Sequence, residues 1–222
     1  MSNTEEPTVE AGQVEEEEEW VPDYDFCYKT IITGDPSTGK SQISARWSRD
    51  EFSEDYTTTV GVEFATKKSE IDSKVISQQL WDTSPHMIGE EGIPVPLIHR
   101  YCFNVFGAFL VYDITKPDTF KNIPERLDVL RTKGDIHPKT KIIIMGNKSD
   151  LKKDGGDQVD TAEAKAYADE NGFFFAEVSA LDGSGIQDAF KTMVQAIWDE
   201  PEFDGSKSKT YELRDEIESQ WP

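Results

Sequence analysis

The sequence predicts an α/β fold built on a mostly parallel sheet of six strands, with helices on both faces. Apolar stretches that suit strands alternate along the chain with stretches that suit helices. Some strand stretches, such as residues 106–112, are almost continuously apolar, which is typical of strands covered on both faces. A Gly-x-x-x-x-Gly-Lys-Ser pattern directly after the first apolar stretch indicates the same architecture.

The predicted elements follow one another in a regular order. A strand over residues 26–33 leads into a helix over 40–47, and two strands follow near 60–69 and 74–82. The remaining predicted elements are strand 107–113, helix 118–132, strand 141–146, helix 161–171, strand 173–178 and helix 185–198.

Charge divides the chain of 222 residues into three parts. The net charge is −21, but residues 1–25 hold ten acids and no Lys or Arg, and residues 199–222 hold eight acids against three bases. We therefore expect one domain over residues 26–198 between two acidic, largely disordered extensions. Each extension is either a solubilising tail or a docking segment for a basic partner.

Composition also excludes several classes of protein. Strong acidity argues against nucleic acid and anionic membranes as partners, because both attract Lys and Arg clusters. No apolar stretch is long enough to span a bilayer and no signal peptide is evident, so we expect a cytoplasmic protein. Cys27 and Cys102 have apolar neighbours and are interpreted as reduced core residues.

The loop over residues 34–41 carries the Gly-x-x-x-x-Gly-Lys-Ser pattern. In such a loop, backbone N–H groups and the N-terminus of the next helix form a cradle for an anion. Lys40 adds a point charge and the Ser41 hydroxyl extends the site to Mg²⁺. The alternative is a turn that only connects two elements. The predicted cofactor-binding residues of this loop are Gly34, Asp35, Pro36, Ser37, Thr38, Gly39, Lys40, Ser41 and Gln42.

A second motif, Asn147-Lys148-Ser149-Asp150, follows another apolar strand. A carboxylate such as Asp150 can accept from the ring N1–H and the exocyclic amine of guanine, whereas adenine offers no matching pair of donors. The Asn147 amide can tie the loop to base and backbone, and the aliphatic stem of Lys148 can cover the base. By itself, this short string is more often a polar turn.

Two shorter motifs complete the set. Residues 179–181 read Ser-Ala-Leu after a strand, and residues 81–83 read Trp-Asp-Thr at the end of another. In order and spacing, the four motifs resemble those of Ras-superfamily small GTPases. The Rab branch is the most similar, because residues 56–64 resemble its first switch and the strand that follows. The resemblance covers about residues 26–198 and implies one small-GTPase domain that binds GTP or GDP with Mg²⁺.

The resemblance assigns further roles residue by residue. Ser41 and Thr59 match the two hydroxyls that ligate Mg²⁺, and Asp82 matches the carboxylate that holds the ion through water. Phe52 matches the aromatic residue that stacks on guanine, with simple core packing as the alternative. The resemblance also implies an antiparallel hairpin at one edge of the sheet, with its turn at residues 68–73.

On the base side, Ser179, Ala180 and Leu181 match a third cofactor-binding loop of the family. Leu181 stands where the family usually has Lys, which weakens this side of the pocket. We expect guanine selection to depend on Asp150 and on the backbone amide of Ala180.

The second switch departs most from the family. After Asp82-Thr83 the family continues Ala-Gly-Gln, but this chain continues Ser84-Pro85-His86. Pro85 has no N–H to donate to the γ-phosphate. His86 replaces the Gln that orients the attacking water. Its alternatives are a catalytic residue that contacts this water and, as we favour, a surface residue without a catalytic role.

Two further features depart from the family, one in the glycine-rich loop and one in the second switch. Pro36 takes a loop position where a small residue usually leaves room near the γ-phosphate, so hydrolysis should suffer. The glycines and prolines of residues 87–96 disfavour a regular helix in the second switch.

The chain has no cysteine beyond Cys102 and ends Gln220-Trp221-Pro222, so it resembles an atypical Rab-like protein without a prenylation site. Members of this kind include components of ciliary assemblies. We therefore expect a nucleotide-bound interaction module with protein partners in a larger ciliary or cytoskeletal complex, in the cytoplasm or the cilium. The alternatives are a slow GTPase switch in cytosolic trafficking and, less favoured, an ATP-binding protein with a chance Asn-Lys-x-Asp.

Overall fold

The computed structural model describes residues 23–53, 62–83, 95–153 and 158–203. They form an α/β fold around a six-stranded sheet, as the sequence predicts. The strands are β1 (Phe26–Gly34), β2 (Val62–Ile71), β3 (Lys74–Thr83), β4 (Gly107–Asp113), β5 (Lys141–Asn147) and β6 (Phe174–Glu177). The helices are α1 (Lys40–Arg49), α2 (Val95–Cys102), α3 (Pro117–Lys121), α4 (Ile123–Thr132), α5 (Thr161–Glu170) and α6 (Ile186–Trp198).

The sheet order β2-β3-β1-β4-β5-β6 places the polar loops of the sequence at one edge. All neighbouring strands pair in parallel except β2 and β3, which form an antiparallel hairpin. Ile32 lies opposite Asp82, and Gly34 lies opposite Val111, so β1, β3 and β4 end together. Ligands of open α/β sheets bind at such carboxyl ends.

Helices cover both faces of the sheet and bury two apolar layers. On one face α1 and α6 pack together, with the Trp47 and Phe190 rings stacked at 4.4 Å between centroids. On the other face Ile98 of α2, Leu130 of α4 and Ala164 of α5 are buried against the strands. This two-sided cover explains the nearly continuous apolar strands.

The prediction of one long helix over residues 118–132 is wrong, because the chain forms two helices there. α3 ends at Lys121, Asn122 intervenes, and α4 begins at Ile123. Pro124 lies in the first turn of α4, where its missing N–H removes no helical hydrogen bond. A continuous helix would place the same ring in a helix interior, where it breaks the hydrogen-bond ladder.

The hairpin turn is shorter than predicted. β2 continues to Ile71 and β3 begins at Lys74, so the turn contains only Asp72 and Ser73, at φ of 50° and 62°. Two central residues with positive φ match the twist of the two strands. The exposed residues 68–70 therefore belong to the edge strand β2 and not to the turn that the resemblance implies.

Helix α2 begins inside residues 87–96, the segment whose glycines and prolines disfavour a regular helix. Residues 84–94 lie outside the described residues, but the chain is helical from Val95, with Pro96 in the first turn. The expectation is therefore wrong for Val95 and Pro96. Cys102 at the end of α2 is buried and free, as is Cys27, which confirms two reduced core cysteines. Within the described ranges, no helix is both long and apolar enough to cross a bilayer.

Candidate functional site

The glycine-rich loop connects β1 to α1 and approaches other backbone segments too closely for larger residues. A Cβ on Gly34 would lie 2.1 Å from the carbonyl oxygen of Val111. Gly39 has φ of 92°, and a Cβ there would lie 2.3 Å from Nδ2 of Asn147. Both positions therefore require glycine. The motif spacing thus produces a tight loop in contact with β4 and with the Asn147 motif.

Lys40 is a buried cation held inside this loop. Its ammonium donates to the carbonyl oxygens of Gly34 and Asp35, both at 2.9 Å. Burial lowers the pKa of Lys40 to about 8, an effect that the negative charge of Asp82 opposes and the positive charge of Arg126 reinforces. An anion bound in the loop would favour the charged form.

Asp82, the residue before the last in β3, is a fully buried carboxylate. Neither of its oxygens has a hydrogen-bond partner of good geometry among the described residues. Burial raises the pKa of Asp82 to about 6, while the Ser41 hydroxyl and the Lys40 charge act in the opposite direction. A buried carboxylate requires a cation or donors, and oxygen ligands suit Mg²⁺. Asp82 and Ser41 therefore fit a hydrated magnesium ion.

The Asn147 side chain joins three loops. Its Nδ2 donates to the carbonyl oxygen of Thr38 at 2.8 Å, and its Oδ1 accepts from the Ala180 N–H at 3.1 Å. The residue is almost fully buried, so both bonds are shielded from water. Because the Ala180 amide already donates to Asn147, its expected contact with guanine stays a prediction.

Asp150 and Lys148 point in different directions from the same loop. The exposed Asp150 carboxylate accepts from the Ser179 hydroxyl at 2.5 Å, which orients it. Lys148 instead reaches the glycine-rich loop, where its ammonium donates to the Ser37 carbonyl oxygen at 3.0 Å. Its stem is still available to cover a base, and that role stays a prediction.

Asp113 is a residue of this region that the sequence analysis missed. It ends β4 fully buried, and one oxygen accepts from both the N–H and the hydroxyl of Thr115. The other oxygen lies 2.6 Å from the Lys148 ammonium. Burial acts to raise the pKa of Asp113, but Lys148 and Thr115 outweigh it and the pKa is lowered. An acid at the end of an apolar strand was the available signal.

Arg46 is a second residue that the sequence did not indicate, and it supports the loop of residues 179–181, here called the base-side loop. From α1, its guanidinium donates to the carbonyl oxygen of Ala180 at 3.0 Å and to that of Leu181 at 2.7 Å. The Leu181 side chain is exposed. The position of this loop therefore depends on Arg46 and Asn147 rather than on the side chain that replaces the usual Lys.

Some predicted site residues lie apart from this cluster. Phe52 is half-buried and packs against the apolar layer of α1 and α6, which agrees with the alternative of core packing; stacking on guanine stays a prediction. The Gln42 side chain accepts from the N–H of Ser53 at 3.0 Å. Thr59, Pro85 and His86 lie outside the described residues.

Comparison with known proteins identifies the family of this fold and site. The family model described as the Ras family matches residues 29–199. The chain belongs to the Ras family. Ras-related protein RABA4b of Arabidopsis thaliana is 41% identical over 174 residues, which cover 78% of this chain and 74% of that protein.

Other relatives of this Ras-family chain are similar at the same level. Ras-related protein RABA5a of Arabidopsis thaliana is 42% identical over 174 residues, covering 78% of this chain and 75% of the relative. Ras-related protein Rab11A of Lotus japonicus is 41% identical over 174 residues, covering 78% of this chain and 73% of the relative. These matches make the chain a small GTPase by family, with relatives of the Rab type.

Proposed function

We propose that this Ras-family chain binds GTP or GDP together with Mg²⁺. The observation that carries the proposal is the Asn147 amide, which bonds at once to Thr38 and to Ala180. One side chain thereby connects the glycine-rich loop of residues 34–41, proposed here as the phosphate loop, to the base-side loop. A site that holds the two ends of a nucleotide needs this connection, because each loop must keep a fixed distance from the other.

Three residues suit the phosphate and metal end. Lys40 places a buried positive charge in the loop, and Ser41 and Asp82 supply oxygens for a cation. Mg²⁺, when bound, neutralises negative charge on the phosphates. We assign Thr59 to the same ion on sequence alone.

Selectivity for guanine is proposed to come from Asp150. The Ser179 hydroxyl orients its carboxylate beyond the end of β5, where it can accept from the ring N1–H and the exocyclic amine of guanine. Replacing Asp150 by Asn leaves a donor facing these donors. We expect D150N to lose affinity for GDP by about 1–3 kcal/mol.

Calorimetry with GDP, GTP and ATP in the presence of Mg²⁺ tests these assignments. Asp169→Asn is the matched control, because Asp169 is an exposed acid of α5 that pairs with Lys165. We expect D169N to bind as the wild type does, and ATP to bind far more weakly than GTP. Equal affinities for ATP and GTP would refute guanine recognition and favour a general nucleotide site.

We further propose that hydrolysis is weak or absent and that the chain is a protein-binding module of the atypical Rab-like kind. Support comes from the Ser84-Pro85-His86 sequence of the second switch and from Pro36 in the phosphate loop. Such a module would act within a larger assembly in the cytoplasm, such as a ciliary or cytoskeletal complex.

A slow but genuine switch in cytosolic trafficking is the second candidate. It is favoured by the similarity to Rab-type relatives at about 41% identity and by Thr59, which keeps the metal-binding hydroxyl of the first switch. The two candidates differ in whether partners distinguish GTP from GDP.

A further inference from the structure

An acidic residue stands inside the loop that is proposed to hold phosphates. Asp35 follows Gly34 directly, and its side chain is 12% exposed. An uncompensated carboxylate at this position would repel phosphate groups, and the repulsion would be strong because little water screens it. The loop therefore needs a positive charge for Asp35 in addition to Lys40.

Helix α4 supplies that charge. The Arg126 guanidinium donates from Nε at 3.0 Å and from Nη2 at 2.9 Å to Oδ1 of Asp35. The side chain of Asn122, just before α4, donates to Oδ2 at 2.7 Å. Both carboxylate oxygens are thus satisfied, and the Arg126 side chain is only 11% exposed. Ion pairs of this kind are costly to break from one side.

The same pair fixes the backbone of the loop. The Asp35 carbonyl oxygen accepts from the Lys40 ammonium at 2.9 Å and from the Thr38 hydroxyl at 2.9 Å. A shift of Asp35 would therefore move the acceptors that hold Lys40 and Thr38. Arg126 acts on both residues through Asp35.

We propose that Arg126 is a positioning residue of the phosphate site, which neutralises Asp35 and fixes the part of the loop that holds Lys40. The inference rests on the proposed function, because it presumes that the loop binds a nucleotide. It predicts that the contribution of Arg126 to nucleotide affinity grows with the number of phosphates on the nucleotide.

The test compares guanosine monophosphate, GDP and a non-hydrolysable GTP analogue, each titrated with Mg²⁺. The variants are R126Q, D35N and the double variant D35N/R126Q. Arg131→Gln is the matched control, since Arg131 is an exposed arginine of the same helix that lies over the Phe173 ring. Thermal unfolding of each variant shows whether it is folded.

We expect R126Q to weaken GDP binding by at least about tenfold, with a smaller loss for the monophosphate and a larger one for the GTP analogue. D35N/R126Q should recover most of this loss, because the uncompensated carboxylate is gone. R131Q should bind as the wild type does. An equal loss for all three nucleotides without recovery in the double variant would overturn the inference and leave only a structural role.

D35N keeps the test decisive if R126Q does not fold. It retains Arg126 while removing the opposing charge, so we expect affinity equal to or above that of the wild type, rising with phosphate number. A D35N affinity that falls with phosphate number would overturn the inference alone. A wild-type protein that binds none of the three nucleotides would overturn the proposed function as well.

Discussion

Partial burial of a charged side chain has a cost in stability, and half-buried Lys29 is such a case away from the candidate site. Its ammonium lies 4.4 Å from the centre of the Trp81 ring and donates to the Phe103 carbonyl oxygen at 3.0 Å. Burial lowers the pKa of Lys29 to about 8. The unfolded chain therefore binds more protons than the folded one between about pH 8 and 10.5.

We therefore expect the loss of the Lys29 proton to increase the free energy of unfolding as pH rises through that window. Lys29→Met removes the buried charge and should stabilise the protein at pH 7 by about 1–2 kcal/mol, with the advantage fading towards pH 10.5. Urea unfolding at pH 7 and pH 10 measures both values. Lys165→Met, at an exposed pair in α5, is the control. A K29M that is less stable at pH 7 would mean that the contact with Trp81 outweighs the cost of burial.

We expect two residues of the second switch to limit GTP hydrolysis. Because Pro85 cannot donate an N–H and His86 replaces the water-orienting Gln, we expect single-turnover hydrolysis below about 10⁻⁴ s⁻¹, the order typical of unassisted Ras proteins. The double variant P85G/H86Q should be faster if the segment can close. A wild-type rate at or above this figure would show that another group positions the water.

At the scale of elements, helix α1 carries the Lys40 and Ser41 end of the phosphate loop and rests on α6. Trp47 is almost fully buried and stacks on Phe190 at 4.4 Å between ring centroids. Trp47→Ala should lower the free energy of unfolding by about 3–5 kcal/mol. We also expect weaker GDP binding, because α1 loses its support. Trp47→Phe keeps a ring at this position and should cost much less; denaturant unfolding of both variants makes the comparison, and equal losses would count against stacking.

The strands and the loops at their ends could be predicted from sequence, because apolar runs and motif spacing are local. The break at Asn122 could not be located from periodicity alone, since the apolar pattern continues across Pro124. The pair of Asp35 and Arg126 joins residues 91 positions apart and depends on how α4 packs. The spacing of the motifs therefore predicts which loops meet, but it does not identify the side chains that hold them together.

For the whole molecule, the decisive question is whether partners distinguish GTP from GDP. A ligand shifts a conformational equilibrium only by its difference in affinity for the two states. We propose that Pro85 removes one γ-phosphate contact while Thr59 keeps its hydroxyl for Mg²⁺, so we expect a small difference and the same partners in both states. A pull-down from native extract with the chain loaded separately with GDP and a non-hydrolysable GTP analogue measures this. P85G is the control that should increase any preference for GTP. If the wild type captures partners only in the GTP form, the chain is a switch and not an interaction module.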